Sequence, residues 1–220
     1  MKDKLDILTS LCYNNKVIYR RSTLGTLISV ALEEEFPLAN KPPEISGIVY
    51  TGVGKINATF NLTRRIIQDN HSLSYGKITD VINFGTVGSV NGKHTGLVEV
   101  DTILQRDMVA TPLAPRGQTP YQGGVTHAIM LNSGTNITLG TGDSFVNTKD
   151  PWFDEAKVDI VDMEAYAMAT VCAKLGIKFR CIKYISDNAD ENADFDWVKS
   201  LQNAQNQFQK WLKQENNLKT

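Results

Sequence analysis

Three acidic positions stand where chemistry is usually kept. Asp187 closes the apolar run FRCIKYIS, and Glu164 lies inside the apolar stretch VDMEAYAMA. A carboxylate at the C-terminal edge of a buried strand is where α/β proteins place ligand-handling groups. A carboxylate inside an apolar segment must find partners, and such groups hold hydroxyls or move protons. The third position is in the run Glu33-Glu34-Glu35, directly after the apolar LGTLISVAL. Three carboxylates in a row also read as the solvated start of a helix, favoured by its dipole. Phe145, in the glycine-rich TGDSFVN, offers a flat face to a planar base; an aromatic at a strand end equally belongs to a core.

The elements that must position these residues follow from apolar periodicity. Strands are expected at Leu24–Leu32, Ile45–Thr51, Lys77–Phe84, Leu97–Leu104, Asn136–Gly140 and Phe179–Ser186. Helices are expected at Asn57–Asp69, Asp159–Lys174 and Asp196–Gln214. The last has the apolar face Val198, Leu201, Ala204, Phe208, Trp211 and Leu212, read as core. Two glycine-rich turns are expected after strands, at Gly52–Lys55 and Gly85–Ser89. The first resembles an anion-binding turn at a helix N-terminus, although it lacks Walker spacing and equally serves as punctuation. Gln105–Gly124, with Pro112, Pro115 and Pro120, is read as a loop.

A chain of 220 residues fits one large α/β domain with its own core. A net charge of -1 without a long basic run excludes a nucleic-acid or membrane-surface role driven by bulk charge. Cys12, Cys172 and Cys181 are too widely spaced for a metal site, and the latter two sit in apolar runs that read as core. No secretory signal and no membrane-length apolar run is apparent, so a cytoplasmic protein with no metal and no cofactor is expected.

The collinear series ALEEEF, TGVGK, NFGTVGS, GTGDSFVN, VDMEAYA and ISDNAD resembles the purine nucleoside phosphorylase / nucleosidase superfamily. Within it, the series is most similar to the methylthioadenosine/S-adenosylhomocysteine nucleosidases. The resemblance spans 24–214, leaving 1–23 as an N-terminal extension and 215–220 as a polar tail. It implies a three-layer α/β/α sandwich around a twisted mixed sheet. It also implies cleavage of the N-glycosidic bond of an adenine nucleoside, as in methionine salvage, by a homodimer or higher homo-oligomer.

The resemblance assigns roles residue by residue. Asp187 protonates the purine and Glu35 activates water. Glu164 binds the ribose hydroxyls, Met163 packs on the sugar, Phe145 stacks on the base and Val146 presents backbone groups to its edge. Thr86 and Ser186 are the small hydroxyl positions near the water and the aspartate. Phosphorylases of the superfamily hold phosphate with a glycine and arginines; the corresponding positions here are Val30 and Asn83, which favours water as nucleophile. Arg64, Arg65 and Lys183 keep phosphate open as an alternative, and a non-catalytic nucleoside-binding protein is a further one. Lys183 stands where relatives carry arginine, and Ser89 where they carry glycine. The segment Gln105–Tyr121 is expected to meet the 5′ substituent.

Overall fold

The computed structural model of the chain describes residues 9–13, 16–20, 25–71, 77–121, 128–148, 150–189 and 193–217. Two short strands, β1 (Thr9–Tyr13) and β2 (Lys16–Arg20), pair antiparallel with each other in a sheet of their own. The main sheet has nine strands among the described residues. They are β3 (Gly25–Val30), β4 (Gly47–Tyr50), β5 (Ile78–Ser89), β6 (Gly96–Glu99), β7 (Thr102–Gln105), β8 (Ala128–Met130), β9 (Thr138–Thr141), β10 (Ile160–Asp162) and β11 (Lys178–Asp187). Their order is β4-β3-β5-β10-β9-β7-β8, with β11 lying along β5 and carrying β6 on its other edge. The sheet is mixed: β3, β5 and β11 run parallel, whereas β10 meets the end of β5 antiparallel.

Helices cover both faces, and strand alternation decides which. Leu27 and Val81 pack against α1 (Lys55–His71) and α3 (Ala165–Leu175), through Leu62, Ile66, Met168 and Cys172. Their neighbours Ile28 and Ile82 turn to the opposite face, where α4 (Ala193–Asn217) brings Ala204, Phe208 and Leu212. Period-two side-chain alternation in a strand buried on both faces gives this division. A short α2 (Trp152–Glu155) lies between β9 and β10. The result is the expected α/β/α sandwich.

On the α4 face the core is an aromatic block. Phe84 and Phe208 stack with ring centroids 4.0 Å apart and planes 3° apart. Phe36 meets both edge-on, at 5.9 and 5.0 Å. Each geometry complements the ring quadrupoles. At the far end of α4, Arg180 is held by Glu99, at 2.8 and 2.9 Å, and by Glu215 at 2.6 Å, with its guanidinium over Trp211.

Several expected elements are corrected. Asp159–Lys174 is not one helix: β10 occupies its start and α3 begins at Ala165. The carboxylate of Asp162 accepts the Ala165 N–H at 2.9 Å, which starts the helix there. Gly85–Ser89 is not a turn but the second half of β5, continuous with Phe84 and paired with β11 and β10. The run Leu97–Leu104 breaks at Val100 and Asp101 into β6 and β7, which pair with different neighbours. Glu33–Glu35 forms a turn rather than a helix start. Val198, counted with the core face of the last helix, is 61% exposed.

Candidate active site

The site lies where the ends of β3, β5, β9, β10 and β11 converge. A cavity of about 490 Å³ is lined there by Glu35, Thr86, Phe145, Val146, Met163, Glu164, Ser186 and Asp187. All eight residues singled out from the sequence therefore meet around one space. Arg106, Asp162, Trp197 and Val198 line the same cavity and were missed.

Glu35 comes from the turn after β3 and is only 5% exposed. Its Oε1 accepts two hydrogen bonds from Thr86, at 2.8 Å from the backbone N–H and 2.7 Å from the hydroxyl. Oε2 receives one longer bond, from Leu32 N at 3.3 Å. Thr86 Oγ1 is in turn the acceptor for the indole N–H of Trp197, at 2.8 Å. Gly85 makes the approach possible: a Cβ there would stand 3.3 Å from both Glu35 Oε1 and Lys183 Nζ.

Asp187 sits at the end of β11, just past a register shift between Ile185 and Asp187. A bulge at this point re-aims the following side chain. Ser186 Oγ donates to Asp187 Oδ2 at 2.6 Å, and Ala189 N to Oδ1 at 2.8 Å.

Glu164 is the residue before α3, 8% exposed, and accepts the Gly54 N–H at 2.9 Å. Burial first, then the Asp162 carboxylate, push its carboxyl up to about 7, against the pull of Lys183 and Gly54. The Gly52–Lys55 turn therefore binds anions, and they are the protein's own. Gly54 N serves Glu164, while Lys55 N donates to Asp143 Oδ1 at 2.7 Å. Gly54 has φ +89°, a conformation that favours glycine.

Beneath the cavity lies a buried ion pair. Lys183 Nζ is 2.9 Å from Asp162 Oδ2, with both side chains almost fully buried. Burial opposes the ammonium, but Asp162, Cys181 and Glu164 together outweigh it and the Lys183 pKa is raised. Asp162 also accepts Thr141 Oγ1 at 2.6 Å. Lys183 is thus committed to Asp162. Arg65 pairs with Asp69 and the Ile48 carbonyl, and Arg64 lies over Phe60 on α1. None of the three lines the cavity, and neither Val30 nor Asn83 does.

Arg106 follows β7 and is 4% exposed. Its guanidinium donates to Gly142 O at 3.0 Å, to Ser144 Oγ at 2.9 Å and to Ser144 O, clamping the loop that carries Phe145 and Val146. Burial lowers its pKa, against the pull of Asp107 and Asp162. Beside it Asp107 accepts Lys55 Nζ at 2.6 Å and Asp143 N at 2.7 Å. A polar mesh thus joins the Phe145 loop to the turn that holds Glu164. Of the segment Gln105–Tyr121, Arg106 alone lines the cavity. Burial pushes the Cys172 and Cys181 thiols up to about 12, so neither is a nucleophile. Among the described residues no cluster of histidine, cysteine and carboxylate ligands has metal-binding geometry.

The signals for the missed residues were weak. Arg106 begins a loop with no motif, and Trp197 lies in the first turns of α4, where the helical period points at core. Lys183 was noted in the sequence, but its partner Asp162 was read as part of a helix.

Comparison with known proteins agrees with this architecture. The chain is 27% identical over 185 residues to an aminodeoxyfutalosine nucleosidase of Helicobacter pylori, covering 76% of this chain and 77% of that one. It is 30% identical over 178 residues to a 5′-methylthioadenosine/S-adenosylhomocysteine nucleosidase of an Exiguobacterium species, covering 71% and 73%. In fold it is similar to the futalosine hydrolase of Helicobacter pylori (TM-score 0.73, 22% identity, 86% of this chain and 96% of that one). A Helicobacter pylori methylthioadenosine nucleosidase solved with 5′-methylthioadenosine matches with TM-score 0.74 and 20% identity, covering 89% and 99%. The family profile described as Phosphorylase superfamily matches residues 46–214, which take in Thr86, Phe145, Glu164 and Asp187, and the chain belongs to that superfamily.

Proposed function

We propose that the protein is a purine nucleosidase that hydrolyses the N-glycosidic bond of an adenine nucleoside. The observation that carries this is the arrangement of Glu35, Glu164 and Asp187 around one cavity, where Arg106, the one lysine or arginine among the described lining residues, is engaged by Gly142 and Ser144. Asp187 delivers a proton to purine N7. The C1′–N9 bond breaks and its electron pair leaves with the base, now neutral. Positive charge develops on the ribose and is stabilised by nearby carboxylates. Glu35 takes a proton from the water that attacks C1′. Glu164 accepts hydrogen bonds from the ribose hydroxyls, Met163 packs on the sugar, and Phe145 and Val146 hold the base.

The substrate is a 5′-substituted adenine nucleoside. Ala31, Leu32, Val53 and Val198 make much of the cavity wall apolar, which suits a methylthio group. The similarity to an aminodeoxyfutalosine nucleosidase supports a second substrate of the same class, with a larger 5′ group. We assign the exposed face of α1 and α3 to a homodimer. Ile56 (81% exposed) and Phe60 (62%) border a groove there that no described part of the chain fills.

The test is base release from methylthioadenosine, S-adenosylhomocysteine and aminodeoxyfutalosine, with and without phosphate, read by chromatography. Free adenine and free sugar without phosphate are expected from the first two nucleosides. A strict phosphate requirement with a sugar 1-phosphate product overturns hydrolysis, and tight binding without turnover overturns catalysis.

A further inference from the structure

We propose that Trp197 is a positioning residue for the water end of the site, acting through Thr86 to fix which oxygen of Glu35 receives the proton. The inference rests on the nucleosidase function above and extends it to a residue outside the matched motifs. Trp197 Nε1 donates to Thr86 Oγ1 at 2.8 Å, and Thr86 Oγ1 donates to Glu35 Oε1 at 2.7 Å. An indole N–H can only donate, and a hydroxyl has a single proton. With the indole occupying an acceptor position on Thr86, the hydroxyl proton is directed at Glu35. The Thr86 backbone N–H adds a second donor to the same Oε1, at 2.8 Å.

The two carboxylate oxygens are thereby made unequal. Oε1 carries two short bonds and its negative charge is spent on them. Oε2 holds only the Leu32 N–H, at 3.3 Å. Oε2 is therefore the more basic oxygen and the one that takes the water proton; the water's O–H bond breaks as its oxygen bonds to C1′. Trp197 needs no contact with the nucleoside to do this. Its ring also forms part of the cavity wall, so the wall role and the hydrogen-bonding role must be separated by experiment.

Two replacements do so. Trp197→Phe keeps a ring and removes the N–H. Benzothienylalanine at 197 keeps the full bicyclic shape and removes only the N–H. Both are expected to lower kcat by up to about tenfold with KM within about twofold, the size of effect of one neutral hydrogen bond. Combined with Thr86→Val, either replacement adds little further loss, since both cut one relay. Denaturation midpoints identify any variant that has merely lost its fold, and the isosteric residue then decides. A kcat within twofold of wild type for the isosteric variant, or a rise in KM alone, overturns the inference while leaving the nucleosidase function standing. Absence of base release from wild type overturns both.

Discussion

Gly88 on β5 and Asp187 on β11 approach so closely that a Cβ on Gly88 would stand 2.7 Å from Asp187 Oδ1. It would also meet the Ala189 Cβ at 3.0 Å. Asp187, the proposed proton donor, is thus seated in space that only a glycine leaves free. Gly88→Ala is expected to push the carboxylate off its place and cut turnover by about 100-fold, the usual consequence of an ångström-scale misplacement. Overpacking costs roughly 1–3 kcal/mol, so the variant still folds. Parallel kinetics and circular dichroism check this; unchanged kcat shows that Asp187 does not act from this position.

Glu164 sets a pH dependence with two opposite signs. Its carboxyl is raised to about 7, mainly by burial, and its proposed hold on two ribose hydroxyls requires the ionised form. We expect kcat/KM to climb as pH passes upward through about 7. Stability moves the other way. Between the ordinary value of 4.5 and about 7 the folded chain holds a proton that the unfolded chain has released, so this group's contribution falls as pH rises. In Glu164→Gln both trends are lost and kcat/KM drops by about 100-fold or more. Urea midpoints and rate profiles of the two proteins over this window test it; a Gln variant with the wild-type profile removes Glu164 from the site.

Lys183→Met leaves Asp162 as a buried charge without its counter-ion. Breaking such a pair costs on the order of 3–5 kcal/mol. Chemical denaturation measures the loss. A difference below about 1 kcal/mol overturns this account of the pair.

Asp143→Ala removes the acceptor of the Lys55 N–H and loosens the loop before Phe145. Since Phe145 is proposed to grip the base in the ground state, the variant is expected to raise KM roughly tenfold while kcat changes little. Steady-state kinetics with a single nucleoside settles the matter, and a fall in kcat at constant KM contradicts it.

The fold was legible in the sequence where periodicity was strong and local. Leu27 and Ile28 alternate between two helix layers as a doubly buried strand must, and Phe208 and Leu212 lie on one helix face. It was illegible where one apolar run served two elements. Ile160 and Ala167 share a helical spacing, yet a strand that ends at Asp162 precedes the helix, and the Asp162 carboxylate accepts the Ala165 N–H across the junction. The acids of the site were legible because each ends or interrupts an apolar run. Trp197 was not: its partner Thr86 lies 111 residues away, and nothing local marks a helix residue as a hydrogen-bond donor to a strand. Arg106 was hidden for the same reason, since its partners are mostly carbonyls, which sequence does not distinguish.

Glu35 is followed directly by Phe36, which packs edge-on against the stacked pair of Phe84 and Phe208. The water end of the pocket is therefore moored by dispersion in a dry block, while the wall that grips the nucleoside is moored by Lys55, Asp107 and Asp143, whose side chains are 17%, 27% and 45% exposed. Dissolved ions screen the second mooring and leave the first untouched. Ionic strength is consequently a selective lever on this molecule: concentrated salt is expected to slacken the Phe145 wall before it disturbs Glu35.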